Sequence, residues 1–130
     1  VAAAMVSVFG KIGLQGLDAH TATAVRAVIM AAFLVAVAVF QRRWEHLPEL
    51  WADKRAMTFI LLSGVAGALS WLFYFTALKY GKVSQVAPVD KLSVVLAATA
   101  AVVFLHETVS VMSAAGIGLI TAGIILVALG

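Results

Sequence analysis

The chain has 130 residues, of which 64% are apolar and only 12% charged, and it contains no cysteine. Soluble domains carry roughly a quarter charged residues, so a soluble enzyme is excluded, and with cysteine absent so are disulfides, thiolate metal sites and cysteine nucleophiles. The surplus of 9 Lys and Arg over 6 Asp and Glu does not read as a nucleic-acid surface, because several of these charges lie inside apolar runs.

A spanning helix takes about 20 residues, so the length admits about five spans with short loops. An all-α membrane protein, a bundle of five transmembrane helices forming one domain over residues 1–130, is the expected fold. Residues 1–16 read as a first apolar helix, short for a span and without the charged start of a secretory signal, as though its beginning were missing. Residues 19–41 form the second helix, beginning after Asp18 with Thr21 and Thr23 as possible caps and closing at Gln41, Arg42 and Arg43. The polar stretch 42–55 contains Pro48 and carries Trp44 and Trp51 where interfacial aromatics belong, and it reads as a short interfacial loop or turn of helix. Residues 56–80 and 83–105 make the third and fourth helices, the latter with Pro88 in its first turns. Residues 111–129 make the fifth, after a tight turn in which Thr108 or Ser110 can act as cap.

Lys and Arg in the loops decide which side stays cytoplasmic. Arg42, Arg43, Lys54 and Arg55 lie on one side against Lys79 and Lys82 on the other, which places the second-to-third loop and the N-terminus in the cytoplasm. The bias is weak enough to permit insertion in both orientations.

Ionisable groups inside apolar helices are costly and mark functional sites. Lys11 lies seven positions before Asp18, Arg26 seven after Ala19, Tyr74 seven before Gly81 and Asp90 seven after Val83, so all four fall at a common depth of roughly 10 Å below one interface. Trp71 lies one turn deeper than Tyr74 and on the same helix face, because the two are three residues apart. Two other accounts stand beside a pocket. Lys11 and Arg26 can snorkel to the interface from this depth, and Trp71 and Tyr74 can belong to an interfacial belt, a role that Phe73 and Phe75 could serve instead. His20, Glu107 and Asp18 read as solvated turn or capping residues, and Lys79 and Lys82 as loop charges. Pro88 is expected to break regular hydrogen bonding near Ser84. Asp90 and Lys91 point about 100° apart on a regular helix, so each should look to a partner other than its neighbour, with Lys11 or Arg26 the candidates for Asp90. Three cations, Lys11, Arg26 and Lys91, against one carboxylate favour an anionic or zwitterionic guest. Ala114, Gly118 and Ala122 form a small-residue stripe of the kind that lets helices approach closely.

The stretch from Gly64 to Val95, with Leu69, Ser70, Trp71, Tyr74, Ala77, Leu78 and Gly81 followed by Pro88, Val89, Asp90, Lys91, Leu92 and Ser93, resembles the small five-helix bacterial branch of the EamA-type drug/metabolite transporters. Gly10, Lys11, Ile12 and Gly13 resemble its first helix, Ala24 to Arg26 its second, and Leu105 to Glu107 the turn before its last. The resemblance implies a multi-pass protein of the bacterial cytoplasmic membrane, built on a repeat that larger relatives carry twice in inverted orientation. It also implies secondary transport of small metabolites or drugs. The expected function is transport of a small anionic or zwitterionic metabolite by alternating access, with export favoured. Lys11, Arg26, Trp71, Tyr74, Asp90 and Lys91 would bind the substrate, Pro88 would gate, and Ala114, Gly118 and Ala122 would pack a homodimer whose copies can insert oppositely. No cofactor and no metal is expected, and the partners are a small-molecule substrate and the lipid bilayer rather than nucleic acid. The alternative is an accessory membrane subunit that moves nothing itself.

Overall fold

A computed structural model describes all 130 residues. The chain is helical throughout, in the order α1 (Ala2–Gly13), α2 (Ala19–Phe40), a 3-10 turn (Arg43–His46), α3 (Leu47–Ala52), α4 (Lys54–Tyr80), α5 (Val83–Asp90), α6 (Leu92–Leu105) and α7 (Val111–Leu129). Four stretches are long and apolar enough to cross a membrane: Ala19–Phe40, Lys54–Tyr80, Val83–Leu105 and Val111–Leu129. The full-length spans therefore number four rather than five. The 12 residues of α1 reach about 18 Å at 1.5 Å each, short of the roughly 30 Å hydrocarbon core.

Side chains and backbone set the helix ends. Asp18, not a threonine, caps α2: its carboxylate accepts the Thr21 amide at 3.0 Å and the Thr21 hydroxyl at 2.9 Å. Both bonds favour the charged form and hold the Asp18 carboxyl below the ordinary carboxylate range. A carboxyl depressed by folding stabilises at any pH above its unfolded value of about 3.9 and loses that contribution as pH falls through the lower folded value. Protection of the first-turn amides of α2, taken as exchange relative to the intrinsic rate at each pH, is thus expected to fall on acidification below about pH 4, and Asp18→Ala should remove that fall.

Asp53 caps α4 in the same manner, accepting the amides of Arg55 and Ala56, each at 3.1 Å. Ser110 caps α7 through the Ser113 amide at 3.1 Å. Helix α6 closes on His106, a non-glycine residue in the left-handed region at φ 54°, and the Glu107 amide reaches back to the Ala101 carbonyl at 3.3 Å, satisfying one of the helix's last carbonyls.

Helices α5 and α6 meet at a break on Lys91. Pro88 has no amide to offer the Ser84 carbonyl, yet the helix continues past it, and a further dislocation falls at Lys91. There the amide bonds the Pro88 carbonyl at 3.0 Å in a tightened, three-residue turn. The Ser93 hydroxyl answers the Asp90 carbonyl at 2.7 Å, so a side chain satisfies backbone at the interruption, as membrane helices require.

The threonines inside the helices are likewise satisfied. Thr23, Thr58, Thr76, Thr99 and Thr121 each donate to the carbonyl four residues earlier at 2.7–2.8 Å.

The chain forms two compact units: Phe9–Lys79, and Val1–Val8 together with Tyr80–Gly130. In the first, the core is Leu14, Ala19, Thr23, Phe75 and Leu78. In the second, α7 packs against α5 and α6, with Ile124 buried. Large apolar residues elsewhere on the spans, such as Val28, Phe33, Leu61, Phe104 and Leu119, are exposed, which suits helices surrounded by hydrocarbon.

Candidate functional site

Helix α4 sets Trp71, Tyr74 and Phe75 on one face, at the three- and four-residue spacing that stacks side chains along a helix. The Trp71 and Phe75 rings lie 5.5 Å apart and 18° from parallel, and Tyr74 meets both edge-on at centroid distances of 5.8 and 5.4 Å. Phe75 is only 2% exposed. The expectation that it could serve an interfacial belt is therefore corrected: Phe73 is exposed, while Phe75 is the buried centre of the aromatic group. The four-residue step from Trp71 was the signal that could have found it.

Arg26 of α2 completes the group. Its guanidinium carbon lies 4.0 Å from the centroid of the Trp71 ring and 4.4 Å from that of Phe75. A planar guanidinium suits such a surface, because its face meets the π-clouds while its N–H groups point outward along its edge. Within the Phe9–Lys79 unit the ion pair formed joins His46 to Glu49, so no carboxylate neutralises Arg26 there. Aromatic faces hold this charge in place.

Lys11 sits in the same unit but is held differently. Its ammonium donates to the Leu78 carbonyl at 2.6 Å and to the Lys79 carbonyl at 3.3 Å. These are among the last carbonyls of α4, which have no partner within the helix and form the negative end of its dipole. One residue earlier, Gly10 approaches Phe75 so closely that a Cβ there would overlap the ring. Gly10 and Lys11 thus dock the second half of α1 on the end of α4, beside the aromatic group.

Pro88, Asp90 and Lys91 belong to the other unit. Asp90 and Lys91 pair with each other, Nζ to Oδ2 at 3.4 Å, contrary to the expectation that neighbours on a helix point apart. The break at Lys91 is the physical reason, since residues on either side of it do not keep the regular 100° step. Ala114, Gly118 and Ala122 are exposed along α7, and a Cβ on Gly118 would meet nothing within 4 Å.

The four long apolar helices accord with residues 1–129 matching the EamA-like transporter family. The chain belongs to the EamA-like transporter family. It is also similar to a protein of Sinorhizobium sp. named "Uncharacterized transporter in cobO 3'region", with 38% identity over 126 residues, covering 97% of this chain and 88% of that one. No solved structure matches the chain. The EamA-like family assignment and the apolar helices together make this a multi-pass membrane protein of the transport class.

Proposed function

We propose that this EamA-like protein is a secondary transporter that moves a small anionic or zwitterionic metabolite outward across the bacterial cytoplasmic membrane by alternating access. The observation that carries this reading is Arg26, a cation held by the Trp71 and Phe75 rings with no carboxylate of its unit on it. Its outward N–H groups bind the anion, Trp71 and Tyr74 wall the guest, and Lys11 adds positive charge nearby. In the other unit, Asp90 and Lys91 form a second charged position suited to an amino group or a proton, next to a helix that Pro88 weakens. The chain acts as one EamA-like transmembrane domain with its N-terminus in the cytoplasm.

The working unit is a homodimer. An inverted-repeat transporter places substrate between two halves, and a single repeat supplies one of them. The exposed Ala114, Gly118 and Ala122 stripe is the proposed seam, and opposite insertion of the copies restores the inverted relation. Crosslinking should fall in Gly118→Leu, whose bulk holds helices apart, and cysteine labelling at Ser110 from both sides of the membrane should detect opposite insertion.

Flux through liposomes containing only this protein tests the central reading, against a panel of carboxylates, phosphates and amino acids chosen by ligand-dependent thermal shift. Accumulation of a negatively charged or zwitterionic compound is the expected result. Transport confined to organic cations, or thermal stabilisation by anions without any flux, overturns it. Pro88→Ala is expected to leave ligand binding within about twofold but to slow turnover several-fold, since conformational steps rather than binding commonly limit such cycles. Unchanged turnover removes the gating role.

A further inference from the structure

The segment joining α2 to α4 has a construction that substrate transport does not use. Across the 3-10 turn and α3, residues Trp44, Leu47, Leu50 and Trp51 recur at three- and four-residue intervals and so share one face. All four are exposed, Trp44 at 60% and Trp51 at 72%. Glu45, His46 and Glu49 lie toward the other side, where His46 Nδ1 meets Glu49 Oε2 at 3.8 Å. Pro48 at the start of α3 fixes the backbone where the two turns join.

Basic residues stand at both ends of this strap, Arg42 and Arg43 before it, Lys54 and Arg55 after it. None of the four is in an ion pair. Of the three acids in the segment, Glu49 faces His46 and Asp53 is occupied by the first amides of α4. The strap, with Glu45 as its third acid, therefore presents an apolar, tryptophan-bearing face bracketed by cations that are in no ion pair and exceed the acids four to three.

We propose that residues 42–55 form a docking surface for anionic phospholipid headgroups, lying in the plane of the interface with Trp44, Leu47, Leu50 and Trp51 set into the acyl boundary and the two basic pairs on headgroup phosphates. Charge complementarity selects the occupant. A zwitterionic headgroup brings its own cation against Arg42, Arg43, Lys54 and Arg55, whereas an anionic one does not, and clustered basic residues beside a spanning helix are drawn to anionic leaflets. A nucleic acid or an acidic peptide would meet the cations but leave the apolar face in water. Amphipathic segments with basic flanks bind at interfaces by both terms together.

The test uses the full chain in bilayers, in a Trp71→Phe background so that emission comes from Trp44 and Trp51. Quenching by brominated phosphatidylglycerol is compared with quenching by brominated phosphatidylcholine. The expected result is a preference for the anionic lipid of at least about threefold at low salt, shrinking as added salt screens the charges. It should be abolished in Arg42→Gln/Arg43→Gln/Lys54→Gln/Arg55→Gln. Equal quenching by the two lipids, a preference that survives the fourfold substitution or is indifferent to salt, or no quenching by either overturns the proposal. Should the fourfold variant not insert, the salt series on the parent alone decides between the same outcomes.

Discussion

Arg26→Gln is expected to weaken binding of an anionic ligand by about 1.5–3 kcal/mol, the range of hydrogen bonds to charged groups, or roughly tenfold to more than a hundredfold in Kd. Glutamine keeps a polar, planar end but gives up the charge, so the loss isolates electrostatics from shape. Arg26→Lys is the companion variant. It retains the charge but not the flat guanidinium that lies on Trp71 and Phe75, and should recover only part of the affinity. Titration of an anion found by thermal shift, measured on parent and both variants, checks this. If Arg26→Gln binds as the parent does, the residue is a structural plug on the aromatic group and the anion-binding reading falls.

The second large effect is expected at Gly10. A Cβ there would overlap the Phe75 ring. The clash involves the outer end of that side chain, but Phe75 is 2% exposed and packed against both Trp71 and Tyr74, so it has little room to retreat. Gly10→Ala should therefore destabilise by about 1–3 kcal/mol, the usual penalty of overpacking, and should disturb Arg26 through the displaced ring. Shortening the obstacle in Gly10→Ala/Phe75→Leu should restore part of the stability, a coupling that a double-mutant cycle measures. Gly13→Ala on the same helix is the control, because a Cβ there meets nothing within 4 Å, and it should be nearly neutral. A Gly10→Ala protein with the parent's thermal midpoint would refute the docking of α1 on α4 through Phe75.

Helix starts at Ala19, Val83 and Val111 were legible because polar turn residues precede long apolar runs, and the Ser110 cap was one of two candidates named from the turn. Trp71 and Tyr74 sharing a face was equally legible, since spacing along a helix is arithmetic. What escaped was each feature that depends on where the helix stops being regular or on what a neighbour leaves open. The pairing of Asp90 with Lys91 arises from a break three residues after Pro88, where the Lys91 amide turns back to the Pro88 carbonyl and the Ser93 hydroxyl takes up the Asp90 carbonyl. Lys11 was read by its charge alone; its position opposite the end of α4 becomes visible only when two segments 67 positions apart are brought together. Nothing in the sequence says that Gly10 clears a space for Phe75. The length of α1 differs because apolar residues continue to Leu14 and Leu17 while Gly16, at φ 76°, belongs to the turn into α2.

The threonine hydroxyls that bond to their own helix carbonyls have an effect on motion. A hydroxyl satisfied within its helix makes no claim on the next one, so Thr23, Thr58, Thr76, Thr99 and Thr121 tie no pair of helices together. Sliding or tilting these helices past one another breaks none of those five bonds. Lys11, whose ammonium does reach across to another helix, is then a natural point at which such movement would be felt as resistance.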